Sequence, residues 1–177
     1  MKTTTRNSPE IDLRTAFLDG MSRVATSVSV VTTAGPAGRM GVTVSAMSSV
    51  CADDPGPHLV VCVHRLSPAR AAILENGVFC VNVLGREQAE VSDTFAGRLS
   101  APGGDKFAPF AWTTLETGAP VLANALVTFD CRVTDMVEVG THGVIFGAVA
   151  WVSMGEGADG GPLLHASRAY GAFAPQG

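Results

Sequence analysis

The chain has 177 residues, a formal net charge of −4 at pH 7, and 46% hydrophobic against 16% charged residues. A chain of that length buries roughly 70% of its unfolded surface in a single core, so one folded domain is expected rather than two or a disordered polymer. Twelve Lys and Arg face sixteen Asp and Glu with no basic run, so the electrostatic footprint of a nucleic-acid binder is missing.

Lys2, Arg6, Glu10, Asp12 and Arg14 interrupt any apolar stretch at the N-terminus. The expectation is therefore no signal peptide and a mature protein that starts here. Residues 1–10 read as a flexible segment and 11–177 as the folded domain. Ser8-Pro9-Glu10 has the form of an N-cap followed by proline in the first turn. Leu13, Phe17, Met21 and Val24 then set an apolar stripe at helical spacing, with Gly20 weakening it.

Ser27 to Thr33 is rich in β-branched residues and ends at Gly35-Pro36-Ala37-Gly38. Met40 to Ser45 resumes as extended chain, which predicts a β-hairpin. His58 to His64 and Val78 to Leu84 read as a second strand pair. A short Ala-rich helix from Pro68 joins them, and Asn76-Gly77 can close it. Leu59 to Val63 falls far short of the roughly 20 apolar residues of a membrane helix. Val91 and Phe95 mark another brief helix, and the loop over 97–111, with Gly97, Pro102, Gly103, Gly104 and Pro109, is long enough to be a lid.

Ala125 to Thr134 alternates, with Val127, Phe129, Cys131 and Val133 on one face and Thr128, Asp130, Arg132 and Thr134 on the other, which predicts a half-exposed antiparallel strand. Val144 to Met154 is apolar on both faces and needs cover on both, from a partner subunit if not from the chain itself. A Gly-rich turn follows at 155–161. The predicted fold is mainly β: a single-domain antiparallel barrel with a few short helices, closed so that no edge is exposed. Cys51, Cys62, Cys80 and Cys131 form no C-x-x-C pair and read as reduced, which fits a cytoplasmic protein.

Polar chemistry is densest at Thr43, Ser45, Ser48, Ser49 and Cys51, threaded through Gly41 and Ala46. Small side chains let a ligand approach the backbone there, and hydroxyls and N–H groups can match a flat polar heterocycle. A strand end that satisfies its own backbone has the same composition. His64, Arg65, Ser67 and Arg70 bring cationic side chains to the start of the helix at Pro68, a phosphate site in outline or an ordinary N-cap with solvated arginines. His58, His64, His142 and His165 share no ligand-like spacing, so no metal site is expected. There is no G-x-S-x-G elbow and no G-x-x-x-x-G-K-[ST] loop.

Several pieces, in order, resemble the short-chain flavin reductases of two-component flavin-dependent monooxygenases, which share a flavin-binding split barrel with Greek-key connections. These are Val28-Ser29-Val30-Val31-Thr32-Thr33, Gly41-x-Thr43-x-Ser45-Ala46-x-x-Ser49-Val50, Phe79-x-Val81-Asn82-Val83-Leu84, Phe95-Ala96-Gly97, Asp105-Lys106-Phe107, Gly118-x-Pro120, Gly140-x-His142 and Pro162-Leu163-Leu164 ahead of Tyr170. The resemblance implies a cytoplasmic homodimer that takes NADH or NADPH and reduces FMN or FAD. The reduced flavin would pass to a separate monooxygenase, expected to be an aromatic-compound hydroxylase. A flavin-binding storage or sensor module of the same fold is the alternative.

Carried over by residue, the resemblance places Thr43, Val44, Ser45, Ala46, Met47, Ser48 and Ser49 along the isoalloxazine and ribityl chain. It places Ser67 and Arg70 at the phosphate with His64 beside them, and His142 at the nicotinamide with Arg168 and Tyr170 closing that pocket. The sequence departs from the family at Cys51, His64, Thr141 and His165, where Ser, Asn, Asp and Tyr are usual.

Overall fold

A computed structural model describes residues 12–155 and 160–174. The elements in chain order are α1 (Leu13–Ser22), β1 (Thr26–Ser27), β2 (Ser29–Thr33), β3 (Met40–Val44), β4 (Met47–Cys51), β5 (His58–His64), α2 (Pro68–Asn76), β6 (Val78–Val83) and α3 (Ala89–Phe95). A 3-10 turn at Pro102–Gly104 follows. The chain then continues as β7 (Trp112–Thr114), β8 (Pro120–Leu122), β9 (Val127–Val139), β10 (His142–Met154), β11 (Leu163–Ala166) and β12 (Ala169–Ala172).

The main sheet has seven strands in the order β3-β2-β6-β9-β10-β5-β4, and each adjacent pair is antiparallel. Its two outermost strands, β3 and β4, are consecutive in the chain and meet at Ser45–Ala46, so the sheet curls round on itself. Cys62 N–H donates to the Ala46 carbonyl (3.0 Å) across that bend. Closure here leaves a seam, because β3 has β2 as its ladder partner on one side only. The barrel interior is filled by Val31, Val61, Val63, Ile73, Phe79, Val81 and Ile145, all 0–1% exposed.

Helix α2 closes one end of the barrel. Proline fits its first turn, because an N–H at that position would have no intrahelical partner, and Gly77 ends the helix in the left-handed conformation (φ 70°), its N–H donating to the Ile73 carbonyl. The strands that α2 joins do not pair with each other: β5 lies between β10 and β4, and β6 between β2 and β9. The expected second strand pair is therefore absent. A tight turn makes hairpin neighbours, whereas a helix laid across the barrel end carries the chain to a distant position in the sheet.

A second layer covers the outer face. β11 and β12 pair with each other and β11 with β1, while β7 and β8 form a small hairpin. Val28, Val30, Leu84, Phe95, Phe107, Leu122 and Leu163 pack beneath these elements. This layer changes the reading of β9: Thr128 and Asp130, expected on the solvent side, are 3% and 0% exposed. The loop before β8 covers Asp130, whose carboxylate accepts from Thr117 N–H at 2.8 Å and Thr117 Oγ1 at 2.5 Å.

Ser8-Pro9-Glu10 lies outside the described residues. Helix α1 is capped by Asp12, whose carboxylate accepts from Arg14 N–H (3.1 Å). The stripe formed by Leu13, Phe17, Met21 and Val24 is present, but its residues are exposed and α1 buries no residue against the barrel. The far half of β10 is likewise open, with Trp151, Val152 and Met154 exposed.

Candidate active site along the barrel seam

The seam strand β3 runs past two adjoining cavities. The first, of about 170 Å³, is lined at its base by Thr43, Val44 and Ser45, and around it by Val28, Ser92, Arg98, His165 and Tyr170. The second, of about 340 Å³, begins one step back along the same strand at Met40, Gly41 and Val42, and is walled by Ser67, Pro68, Arg39, Phe95, Lys106 and Phe107. The seam and the cavities are linked by chemistry as well as position, because an edge strand presents backbone N–H and C=O groups that no neighbouring strand takes.

In the first cavity, Thr43 Oγ1 donates to the Ser92 carbonyl (2.7 Å) and so ties β3 to α3. The Tyr170 hydroxyl donates to Asp93 Oδ1 (2.7 Å), accepts from Arg98 Nη1 (3.0 Å) and lies 2.8 Å from Ser92 Oγ. Arg98 Nη1 also donates to Asp93 Oδ1 (3.0 Å). The hydrogen bond from Tyr170, with help from Arg98, holds the Asp93 carboxyl below its ordinary value, while burial pushes the Tyr170 phenol up. His165 stands edge-on to the Tyr170 ring, with centroids 5.9 Å apart.

The second cavity carries Arg39, Lys106 and Asp105 at one end, an excess of one positive charge. Lys106 Nζ donates to the Phe95 carbonyl (3.1 Å), and Arg39 pairs with Asp105 (2.9 Å) while lying 4.4 Å over the Phe107 ring. Ser67 precedes α2 without capping it by its side chain, so its hydroxyl is not committed to the helix end. The expected lid, 97–111, forms the cavity's outer wall and is anchored: Phe95, Phe107 and Trp112 pack in mutual contact, and Trp112 Nε1 donates to the Phe107 carbonyl (2.9 Å). Gly41 makes this packing possible, since a Cβ there would lie 2.5 Å from Phe95 Cε1.

Of the residues expected at the site, Thr43, Val44, Ser45 and Tyr170 come together in the first cavity and Ser67 lies in the second. Ala46 makes the barrel-closing bend and Met47 packs against the barrel core, while Ser48 and Ser49 are exposed on β4. Arg70 points the other way along α2: its guanidinium pairs with Glu138 and packs on Gly143. Arg168 pairs with Asp19 of α1 (3.0 Å). His64 and His142 are cross-strand neighbours on β5 and β10, edge to face at 4.9 Å, and neither lines the two seam cavities.

Sequence reasoning assigned no role to Arg39, Ser92, Arg98 or Lys106. Asp105-Lys106-Phe107 was legible as a motif, but nothing local tells that it folds back onto β3. All four cysteines are free, and burial raises the thiol of Cys131 to about 12. No group of metal-ligating side chains assembles among the described residues. None of the described helices is long and apolar enough to cross a membrane.

A seam floored by small and hydroxyl side chains, with a cationic end and a separate arginine, suits flat ligands that carry anionic tails. The comparisons with known proteins agree. The chain is 44% identical over 164 residues to "FMN reductase (NADH) RutF 2" of Methylorubrum extorquens (strain PA1), covering 93% of this chain and 92% of that protein. A crystal structure of a putative flavin reductase from Haemophilus somnus 129PT superposes with TM-score 0.82 at 34% identity, covering 92% of this chain and all of that one (100%). Nitrilotriacetate monooxygenase component B from Mycobacterium thermoresistibile superposes with TM-score 0.82 at 28% identity, over 92% of this chain and 87% of that one. Residues 21–174 match the flavin reductase like domain, and the chain belongs to that family.

Proposed function

We propose that the protein is an NADH- or NADPH-dependent flavin reductase that reduces FMN or FAD by hydride transfer and releases the product to a separate monooxygenase. The observation that carries this reading is the pair of adjoining cavities along one seam strand. One end offers Thr43, Ser45 and unpaired backbone groups to a ring, and the other offers Ser67, Lys106 and Arg39 to a phosphate. The relatives named above, an NADH-dependent FMN reductase and a monooxygenase component, support the same chemistry.

Flavin and nicotinamide supply the hydride chemistry themselves, and the protein's part is to align them and exclude competing reactions. The seam backbone and the Thr43 and Ser45 hydroxyls bind and orient the ring through hydrogen bonds. Aromatic packing of Phe95, Phe107 and Trp112 fixes the lid wall, so the cavity is shaped before ligand arrives. Preorganisation of that kind reduces the ordering cost of binding. Lys106 beside the start of α2 would hold the flavin phosphate with Ser67, and Arg39 would add to it through the N–H groups that its pair with Asp105 leaves open. Arg70 joins them only by leaving Glu138, and His142 reaches a nicotinamide only from outside these two cavities.

The test is steady-state oxidation of NADH and of NADPH with FMN, FAD and riboflavin. Turnover of free flavin is expected, and Lys106→Ala should raise KM for FMN about tenfold, the worth of one charge-assisted hydrogen bond, while leaving KM for riboflavin unchanged. Tight flavin binding without NAD(P)H oxidation would instead make the protein a storage or sensor module. Equal losses for FMN and riboflavin would remove Lys106 from the phosphate. The cytoplasm, where NADH and reduced cysteines are at home, is the compartment this reading requires.

A further inference from the structure

We propose that Arg98 binds the pyrophosphate of the dinucleotide substrate, and that Asp93 positions it to do so; the proposal rests on the reductase reading above. A two-substrate reaction of this kind brings two anionic tails to one place where the rings must meet. The structure holds cations on both sides of that place. Arg39 and Lys106 lie toward Met40 and Gly41 on β3, and Arg98 lies toward Thr43 and Ser45. A flavin laid along β3 with its phosphate among Ser67, Lys106 and Arg39 puts its uncharged ring at the other cavity. Its phosphate then sits in the second cavity, which Arg98 does not line, and Arg98 is left for the second substrate.

The geometry around Arg98 fits that task. It contributes the only Lys, Arg, Asp or Glu side chain lining the first cavity among the described residues. Nη1 is committed to Asp93 and to the Tyr170 hydroxyl, each at 3.0 Å. The other guanidinium N–H groups make no hydrogen bond among the described residues, and the side chain is 59% exposed. A guanidinium anchored at one corner and open along the remaining edge presents the planar fork that binds phosphate oxygens in pairs. Asp93 accepts from both Tyr170 and Arg98, so one carboxylate fixes the cavity's aromatic wall and its cation together.

Arg98→Gln and Asp93→Asn are compared with the unaltered protein using NADH and, as a phosphate-free hydride donor, 1-benzyl-1,4-dihydronicotinamide, both with FMN. Arg98→Gln should raise KM for NADH about tenfold with kcat retained, leave the benzyl donor's rate unchanged, and leave FMN affinity by fluorescence quenching unchanged. Asp93→Asn should raise the same KM by a smaller factor. Unchanged KM for NADH in Arg98→Gln overturns the assignment, as does an equal loss with both donors, which would place Arg98 at the rings. Loss of FMN affinity would give the cation to the flavin and overturn it too. If the unaltered protein fails to oxidise NADH with FMN, the reductase reading itself fails, a result distinct from any of these.

Discussion

Asn82 shows how much one buried side chain can decide. It is fully buried on β6, and its amide donates to the Val30 carbonyl and to Thr32 Oγ1, each at 3.1 Å, while its carbonyl oxygen accepts from Leu122 N–H at 2.7 Å. One residue therefore fastens the covering strand β8 to the barrel wall. Asn82→Leu keeps the branched heavy-atom skeleton, though with bulkier ends, and strands the Leu122 N–H, and a buried orphan donor costs about 1–3 kcal/mol. Urea denaturation should show a loss of that size. A change below about 0.5 kcal/mol would mean that β8 finds other partners for its backbone.

At the scale of elements, the barrel's cross-section depends on where adjacent strands can come close. Gly147 on β10 faces Phe79 and Cys131, and a Cβ there would lie 2.5 Å from Phe79 Cζ and 3.1 Å from Cys131 Cβ. The Phe79 ring is fully buried, so it has no free space into which to retreat. Gly147→Ala should destabilise the barrel by about 1–3 kcal/mol, as overpacking does, and denaturant titration reads it directly. The ladder between β9 and β10 shifts register between Phe146 and Gly147, so the glycine also sits where the strand bends.

At the scale of the whole molecule, the single chain leaves apolar surface uncovered. Leu13 and Phe17 of α1 are 80% and 62% exposed, and Trp151 and Met154 of β10 are 51% and 73% exposed. Apolar area removed from water is worth about 25 cal/mol per Å², and obligate homodimers bury the most apolar interfaces. The protein is proposed to be a homodimer on this ground. Sedimentation equilibrium at micromolar concentration should return twice the chain mass, and Trp151→Asp should shift the equilibrium toward monomer. A monomeric unaltered protein would leave these residues to another occupant.

Periodicity in the sequence determined most of the local structure. Alternating or continuous β-branched runs gave β2, β3, β5, β6, β9 and β10, and Pro68 and Gly77 bounded α2, because period, caps and breakers act within a few residues. The ordered small and hydroxyl residues from Gly41 to Ser49 marked the seam for the same reason. Pairing across the barrel was decided elsewhere: β5 and β6 look like neighbours in the chain, yet α2 separates them, since strand order is set by which faces can be buried together. Thr128 and Asp130 read as solvent-facing because alternation cannot reveal a second layer laid on the outside. The positions of Arg98 and Lys106 beside the cavities could not be read from sequence, since they depend on parts of the chain far away, Tyr170 for Arg98 and the β3 strand for Lys106. The tertiary structure decides such contacts because binding groups converge through folding, whereas sequence patterns report only what each segment does alone.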